Sequence, residues 1–207
     1  MKKNILVLVA VLVFGASNAQ EVKFGVKGGM NVSDFIGKTD GADFKSRVGF
    51  NVGGFIAIKF SEQFTLQPEV LFSEQGAKLD NLEDVIVNLY EDGNAKFKLS
   101  YINIPIMFKC YIDEKFNLEF GPQIGFLTSA KIAVKLNDYN QTVSKDAKDF
   151  FESIDLGLNV GAGYDFTEHI SAGIRYNLGL SNIAKTEDGD PSKVRNSVFS
   201  LSAGYRF

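Results

Sequence analysis

The 207-residue sequence has no tryptophan, one cysteine, one histidine and four prolines. One cysteine excludes a disulfide framework within the chain, and a single histidine beside it leaves too few ligands for an ordinary zinc site. Charge of one sign is also missing. Charged residues make up 23% of the chain and the formal net charge is −3, which fits neither a basic nucleic-acid binder nor a disordered acidic chain. Long apolar runs are scarce as well: the longest, ILVLVAVLVFGA at 5–16, covers about 18 Å as a helix against roughly 30 Å of bilayer hydrocarbon. No later segment reaches about 18 consecutive apolar residues, so no transmembrane helix is expected.

The short run instead completes an export signal. Lys2 and Lys3 precede it, SNAQ follows it, and Ser17 and Ala19 occupy the −3 and −1 positions of a cut before Gln20. The expected organisation is a signal peptide over 1–19 and one domain over 20–207, which carries 20 basic and 25 acidic residues. No cysteine lies near the cut to carry a lipid. An exported chain without an apolar helix is either a soluble periplasmic or secreted protein or an outer-membrane barrel.

What the sequence has in excess is glycine, 20 residues, and phenylalanine, 19, set in period-two alternation. Eight alternating stretches are read at 21–32, 48–60, 64–75, 97–112, 116–130, 153–166, 169–181 and 197–207. A strand tilted about 40° across an apolar band about 25 Å tall needs roughly ten residues, and these stretches have that length. Short turns near Ser61 to Gln63, Asp113 to Lys115 and Thr167 to Glu168 alternate with long connections at 33–47, 76–96, 131–152 and 182–196. That is the periplasmic-turn, extracellular-loop plan of an outer-membrane barrel.

Side-chain parity separates two faces. Ile154, Leu156, Leu158 and Val160 oppose Asp155, Gly157, Asn159 and Gly161, and the later strands repeat the pattern. The polar parity collects Lys23, Lys27, Lys59, Lys109, Arg175 and Arg206 with Glu69, Glu119, Asp155 and Asp165, interleaved with a dozen glycines. Glycine weakens a solvated strand without return, whereas inside a narrow eight-stranded barrel it leaves room for long charged side chains to cross and pair. A soluble barrel with glycine bulges is the alternative. Balanced charges favour a salt-bridged interior over an open pore. Aromatics gather at both inferred rims: Phe60, Phe64, Tyr111, Phe116, Tyr164, Phe166, Tyr205 and Phe207 by the short turns, and Phe35, Phe50, Phe72, Phe126, Tyr176 and Phe199 toward the long loops.

VKFGVKGGMNVSDF at 22–35, FTLQPEVLFSEQGAKL at 64–79, LSYINIPIMFKCYI at 99–112, FNLEFGPQIGFLTSAK at 116–131, LGLNVGAGYDF at 156–166, IRYNLGLSNI at 174–183 and the ending LSAGYRF resemble the PorT-like outer-membrane β-barrel proteins of the Bacteroidetes. The resemblance spans nearly the whole mature chain and implies an all-β fold, an eight-stranded antiparallel up-and-down transmembrane barrel. It also implies that Phe207 is the terminal aromatic read by the barrel-assembly machinery. A link to protein secretion comes with the family name only.

Chemistry is sparse. Cys110 falls on the apolar parity and His169 in a short turn, on non-neighbouring strands, so no nucleophile pair is expected. GVKGG at 25–29 lacks the phosphate-loop spacing, and Asn31-Val32-Ser33 is a chance-level glycosylation triplet. No cofactor, metal or nucleic-acid site is expected, and the protein is not read as an enzyme. The 74–96 loop carries a local charge of −4, from Glu74, Asp80, Glu83, Asp84, Glu91 and Asp92 against Lys78 and Lys96. Such a loop is ordinarily only solvated, although with divalent cations it has a route to lipopolysaccharide phosphates. The readings carried forward are a structural or interaction module acting through outer loops, a small-solute transport module or porin-like channel, a secretion accessory and, last, a lipocalin-like carrier. The expected partners are outer-membrane lipid and lipopolysaccharide, the assembly machinery and a surface or periplasmic protein.

Overall fold

The computed structural model describes residues 21–38, 44–79, 93–136, 141–185 and 193–207, so the signal-peptide reading and most of the acidic loop lie outside the described residues. Among them are nine strands: β1 (Glu21–Lys38), β2 (Phe44–Lys59), β3 (Phe64–Leu79), β4 (Gly93–Tyr111), β5 (Phe116–Leu136), β6 (Gln141–Asp146), β7 (Ile154–Asp165), β8 (Ile170–Gly179) and β9 (Lys193–Arg206). All pairings are antiparallel. They run β1-β2-β3-β4-β5-β7-β8-β9 and return from β9 to β1, where Gly25 stands opposite Arg206 and Lys38 opposite Lys193. The connectivity is an up-and-down ring, with β6 attached only to β5.

Two expectations from the sequence change here. The strand count is nine rather than eight, because QTVSKD in the 131–152 connection forms β6 against Lys131 to Leu136 of β5. Five polar residues and one valine offer no alternation to read. β1 to β5 and β9 are also longer than their alternating stretches: β5 has 21 residues and β4 has 19, and the excess lies at the long-loop end. Beyond an apolar surrounding nothing selects a greasy outer face, so the pattern fades while backbone pairing continues.

The short turns share one device. In FSEQF, IDEKF and FTEHI a small oxygen-bearing residue opens the turn and caps the amides that follow. Ser61 Oγ accepts from the Phe64 amide at 3.1 Å, Asp113 Oδ1 from the Phe116 and Lys115 amides at 2.7 and 2.8 Å, and Thr167 Oγ1 from the Ile170 amide at 2.9 Å.

Burial is inverted relative to a protein dissolved in water. Phe24, Met30, Phe120, Val160 and Leu201 are exposed on the outer face, while Asn31, Glu69, Glu119, Asn159 and Arg175 are buried inside. A folded protein in water exposes apolar atoms piecemeal, not as a belt around every strand. The interior does have an apolar part at its long-loop end. There Phe35, Leu99, Tyr101, Leu127, Phe151 and Ile183 are buried, with Phe44 and Phe97 packed against them. Phe35, assigned from the sequence to an outer girdle, belongs to this cluster, with its ring 5.3 Å from Phe44 and 5.9 Å from Phe97. It shares the inward parity of Asn31 and Ser33, and proximity to a rim obscured that.

Candidate functional site

Inward parity brings one residue from each of five strands to the middle of the ring: Lys27 of β1, Glu69 of β3, Lys109 of β4, Glu119 of β5 and Arg175 of β8. β8 lies four places from β3 around the ring, so the Arg175 side chain crosses the interior to reach Glu69. Its Nη1 and Nη2 donate to Glu69 Oε2 and Oε1, both at 2.9 Å, and its Nε donates to Glu119 Oε1 at 2.8 Å. Two oxygens of one carboxylate taken by a planar fork is the strongest ion-pair geometry side chains make. Lys27 Nζ donates to both Glu69 oxygens at 3.4 Å, Lys109 Nζ lies 3.7 Å from Glu119 Oε2, and Gln67 Nε2 donates to Glu69 Oε1 at 2.7 Å. Three cations face two carboxylates, a combination that survives burial only when nearly every charge is met.

Glycine supplies the room. A Cβ at Gly161 would stand 3.1 Å from Glu119 Oε1, and one at Gly25 would run into the Phe55 ring, which is itself buried inside the ring.

Toward the long-loop end lies a layer of amides. Asn51 Nδ2 donates to Asn31 Oδ1 at 2.7 Å, Asn31 Nδ2 to Ser73 Oγ at 2.9 Å, and Asn177 Nδ2 to Asn159 Oδ1 at 3.1 Å. Above it Asp155 accepts from Asn196 Nδ2 at 2.8 Å and Ser181 Oγ at 2.9 Å, beside Tyr101, and Arg47 pairs with Glu74 at 2.9 Å. The aromatic cluster closes this end. Toward the short turns Arg206 pairs with Asp165 at 2.7 Å, and Tyr111 Oη donates to the same carboxylate at 3.0 Å. Tyr111 therefore turns its hydroxyl inward rather than joining a rim girdle. Beyond it opens a mouth of about 560 Å³ lined by Lys59, Glu62, Glu114, Lys115 and Glu168 among others. By contrast, the voids beside the charge network hold only about 30 and 40 Å³.

Of the interior residues read from the sequence, five meet in the network and Asp165 and Arg206 form a separate pair. Lys23 pairs with Glu21 at 3.0 Å near the mouth, and Asp155 joins no ion pair among the described residues. Sequence reasoning put Asn159 and Asn177 on the polar face without picking out the asparagine layer, and it passed over the inward Phe55 and Tyr101. Their signal was present, since all share the charged parity, but an apolar or neutral residue on that parity does not announce itself.

Nothing here resembles a catalytic centre. Cys110 is on the outer parity of β4, opposite Phe64 and Leu118. His169 stacks on Tyr205 with ring centroids 5.7 Å apart and donates through Nδ1–H to the Arg206 carbonyl at 2.8 Å. No group of three His, Cys, Asp or Glu residues able to hold a metal occurs among the described residues. Phe207 is exposed, its amide donating to the Phe24 carbonyl at 2.9 Å and its ring packing on Tyr205.

Solved structures similar to this chain include bacterial surface and outer-membrane proteins. Neisserial surface protein A superposes with a TM-score of 0.51 at 16% identity, covering 91% of this chain and all (100%) of that one, and it carries the fold comparison. Ail, the attachment invasion locus protein of Yersinia pestis, reaches 0.48 at 18% identity over 91% and 100% of the two chains. OprG from Pseudomonas aeruginosa reaches 0.47 at 14% over 92% and 98%. No curated protein matches the chain. The sequence profile of the outer membrane protein beta-barrel domain family matches residues 18–185, most of the chain up to the loop before β9. With its ring of strands, apolar outer face and charged interior, the chain belongs to that outer membrane protein beta-barrel domain family, and its place is the bacterial outer membrane.

Proposed function

We propose that the eight ring strands form a closed transmembrane barrel, that 1–19 is a cleaved signal peptide and 20–207 the mature domain, and that the protein is a non-enzymatic interaction module rather than a pore. The observation that carries this reading is the occupied interior. Arg175 spans it, the voids beside the charge network hold little more than a water or two each, and an aromatic cluster fills the outward end. A barrel of eight strands has an interior just wide enough for side chains. What remains for function is the outward extension of β1 to β5 and β9, where strands run well past the roughly ten residues a membrane needs, together with the short β6 attached to it.

In this reading the short turns face the periplasm, Phe207 is the terminal residue engaged by the assembly machinery, and the outer surface meets lipid, lipopolysaccharide and a surface protein. Membership of the PorT-like group, and with it a secretion accessory role, is supported by the sequence resemblance alone. Solute passage is the second reading, favoured by the 560 Å³ mouth. The two are separated by conductance of the purified protein in a planar bilayer. A filled barrel gives a silent membrane, and discrete, stable conductance steps from the parent protein would overturn the interaction-module reading.

A further inference from the structure

The outward extension carries an arrangement on its outer face that the interior does not use. Past the half-exposed Ile102, β4 continues on the same face with Ser100, Lys98 and Lys96, while Leu99 and Ala95 are buried and Phe97 packs into the aromatic cluster. The register sets Lys96 opposite Lys78 of β3, Lys78 opposite Lys45 of β2, and Lys98 opposite Lys131 of β5. Lys96, Lys98 and Lys131 are exposed and Lys78 is half-buried.

Like charges directly opposite one another destabilise a sheet. Lysine is used to protect sheet edges, but β3 and β4 are paired on both sides here, so edge protection does not account for Lys78, Lys96 and Lys98. Among the described residues, acid near this face is limited. Asp146 of β6 stands opposite Lys131, and Glu74 is committed to Arg47. Lys78, Lys96, Lys98 and Lys131 enter no hydrogen bond or ion pair among the described residues.

The height of this face selects its occupant. From Ile102 to Lys98 is about 13 Å along the strand, or about 10 Å along the membrane normal at the usual tilt. Lys98 and Lys131 therefore stand one headgroup layer above the apolar band, with Lys96 and Lys78 about 5 Å higher, on the side wall that looks out over the bilayer and not on the summit of the barrel. We propose that the outer face formed by Lys78, Lys96, Lys98 and Lys131 binds the phosphorylated headgroup of outer-leaflet lipopolysaccharide. This rests on the barrel lying in the outer membrane with its long loops outward. Bound phosphates relieve the cross-strand repulsion and tie the extension to the leaflet.

The test measures binding of lipopolysaccharide, and of its dephosphorylated form, to the mature protein in zwitterionic detergent. The parent and a Lys78→Gln/Lys96→Gln/Lys98→Gln/Lys131→Gln variant are compared, with Lys98→Gln alone as a second variant should the first lose its heat-dependent shift in electrophoretic mobility. The parent is expected to prefer the phosphorylated form by at least about tenfold, with the preference weakened by salt and lost from the fourfold variant. Equal affinity of parent and variant overturns the proposal. Tighter binding of soluble heparin than of lipopolysaccharide assigns the face to a free polyanion and also overturns it. So does binding that appears only when Asp80, Glu83, Asp84, Glu91 and Asp92 are replaced by their amides, because the chain's own acidic segment is then the occupant. Orientation is read separately, by impermeant maleimide on intact cells carrying Ser144→Cys in a Cys110→Ser background. Failure to label defeats the barrel reading, whereas labelling with unchanged lipopolysaccharide binding defeats this inference alone.

Discussion

At the scale of single residues, Arg175 is the group on which the interior turns. It holds both carboxylates of the network, and removing it leaves Glu69 with Lys27 as its one cation among the described residues, at 3.4 Å, beside Gln67, and Glu119 with Lys109 at 3.7 Å. Arg175→Ala and Glu119→Ala are each expected to cost about 3 to 5 kcal/mol where water stays out, measured as unfolding in detergent against an exposed control such as Lys115→Ala. A hydrated channel would show no such difference. Asp113 answers to pH instead. Amide hydrogen bonds from Phe116 first and Lys115 second hold its carboxyl below the usual aspartate range, and it sits in a turn outside the apolar band. A depressed folded-state value means the stabilisation is complete above the unfolded value, about 3.9, and is lost as pH falls through the folded one. The stability gap between the parent and Asp113→Ala is therefore expected to be constant at neutral and mildly acid pH and to close only below about pH 4. A gap unchanged down to pH 2 would refute the cap's electrostatic role.

Each strand is a two-faced element, and parity decides what a substitution does. Val160 lies on the outer face of β7, 58% exposed, opposite Phe120 and Tyr176, while Gly161 beside it faces the network. Val160→Lys is expected to destabilise the membrane-inserted protein by about 2 to 4 kcal/mol, because a cation is placed against hydrocarbon. Refolding equilibria in lipid vesicles measure this, and a neutral result would place β7 outside the membrane. The glycine-rich inner parity was legible in the sequence because twelve glycines on one face ask for a reason, and the Cβ positions at Gly161 and Gly25 supply it. β6 was not legible. It pairs with the neighbouring end of β5, Leu136 opposite Gln141, but QTVSKD holds a single apolar residue and leaves no periodic trace, so only the folded chain reveals it. The same limit hid Phe35. Alternation tells which face a residue takes, but not whether the inner face at that height meets charge, amide or aromatic.

For the molecule as a whole, closure of the ring matters more than any one strand. β9 pairs with both β8 and β1, whereas β6 pairs with β5 alone. Replacing Gln141 to Asp146 with a flexible linker is expected to preserve the heat-dependent mobility shift, and truncation before Lys193 to abolish it by creating two open edges in lipid. Retention of the shift after removal of β9 would mean that the ring is not what holds the protein in its membrane. The two ends of the molecule also differ: an aromatic cluster fills the long-loop end, while a charged mouth opens at the short-turn end.

The sequence alone determined that the chain is built of long alternating strands with short and long connections in turn, and two-faced with charge and glycine on one parity. These are local or periodic properties, set by residue type and by the two-residue repeat of an extended chain. Which cation meets which carboxylate was decided only by the tertiary structure. Arg175 and Glu69 are 106 residues apart, and their meeting depends on the number of strands in the ring and the stagger between them. The lysine face was decided in the same way. Lys78, Lys96 and Lys131 are unremarkable in the linear sequence and become one surface only once the register of β3, β4 and β5 lines them up.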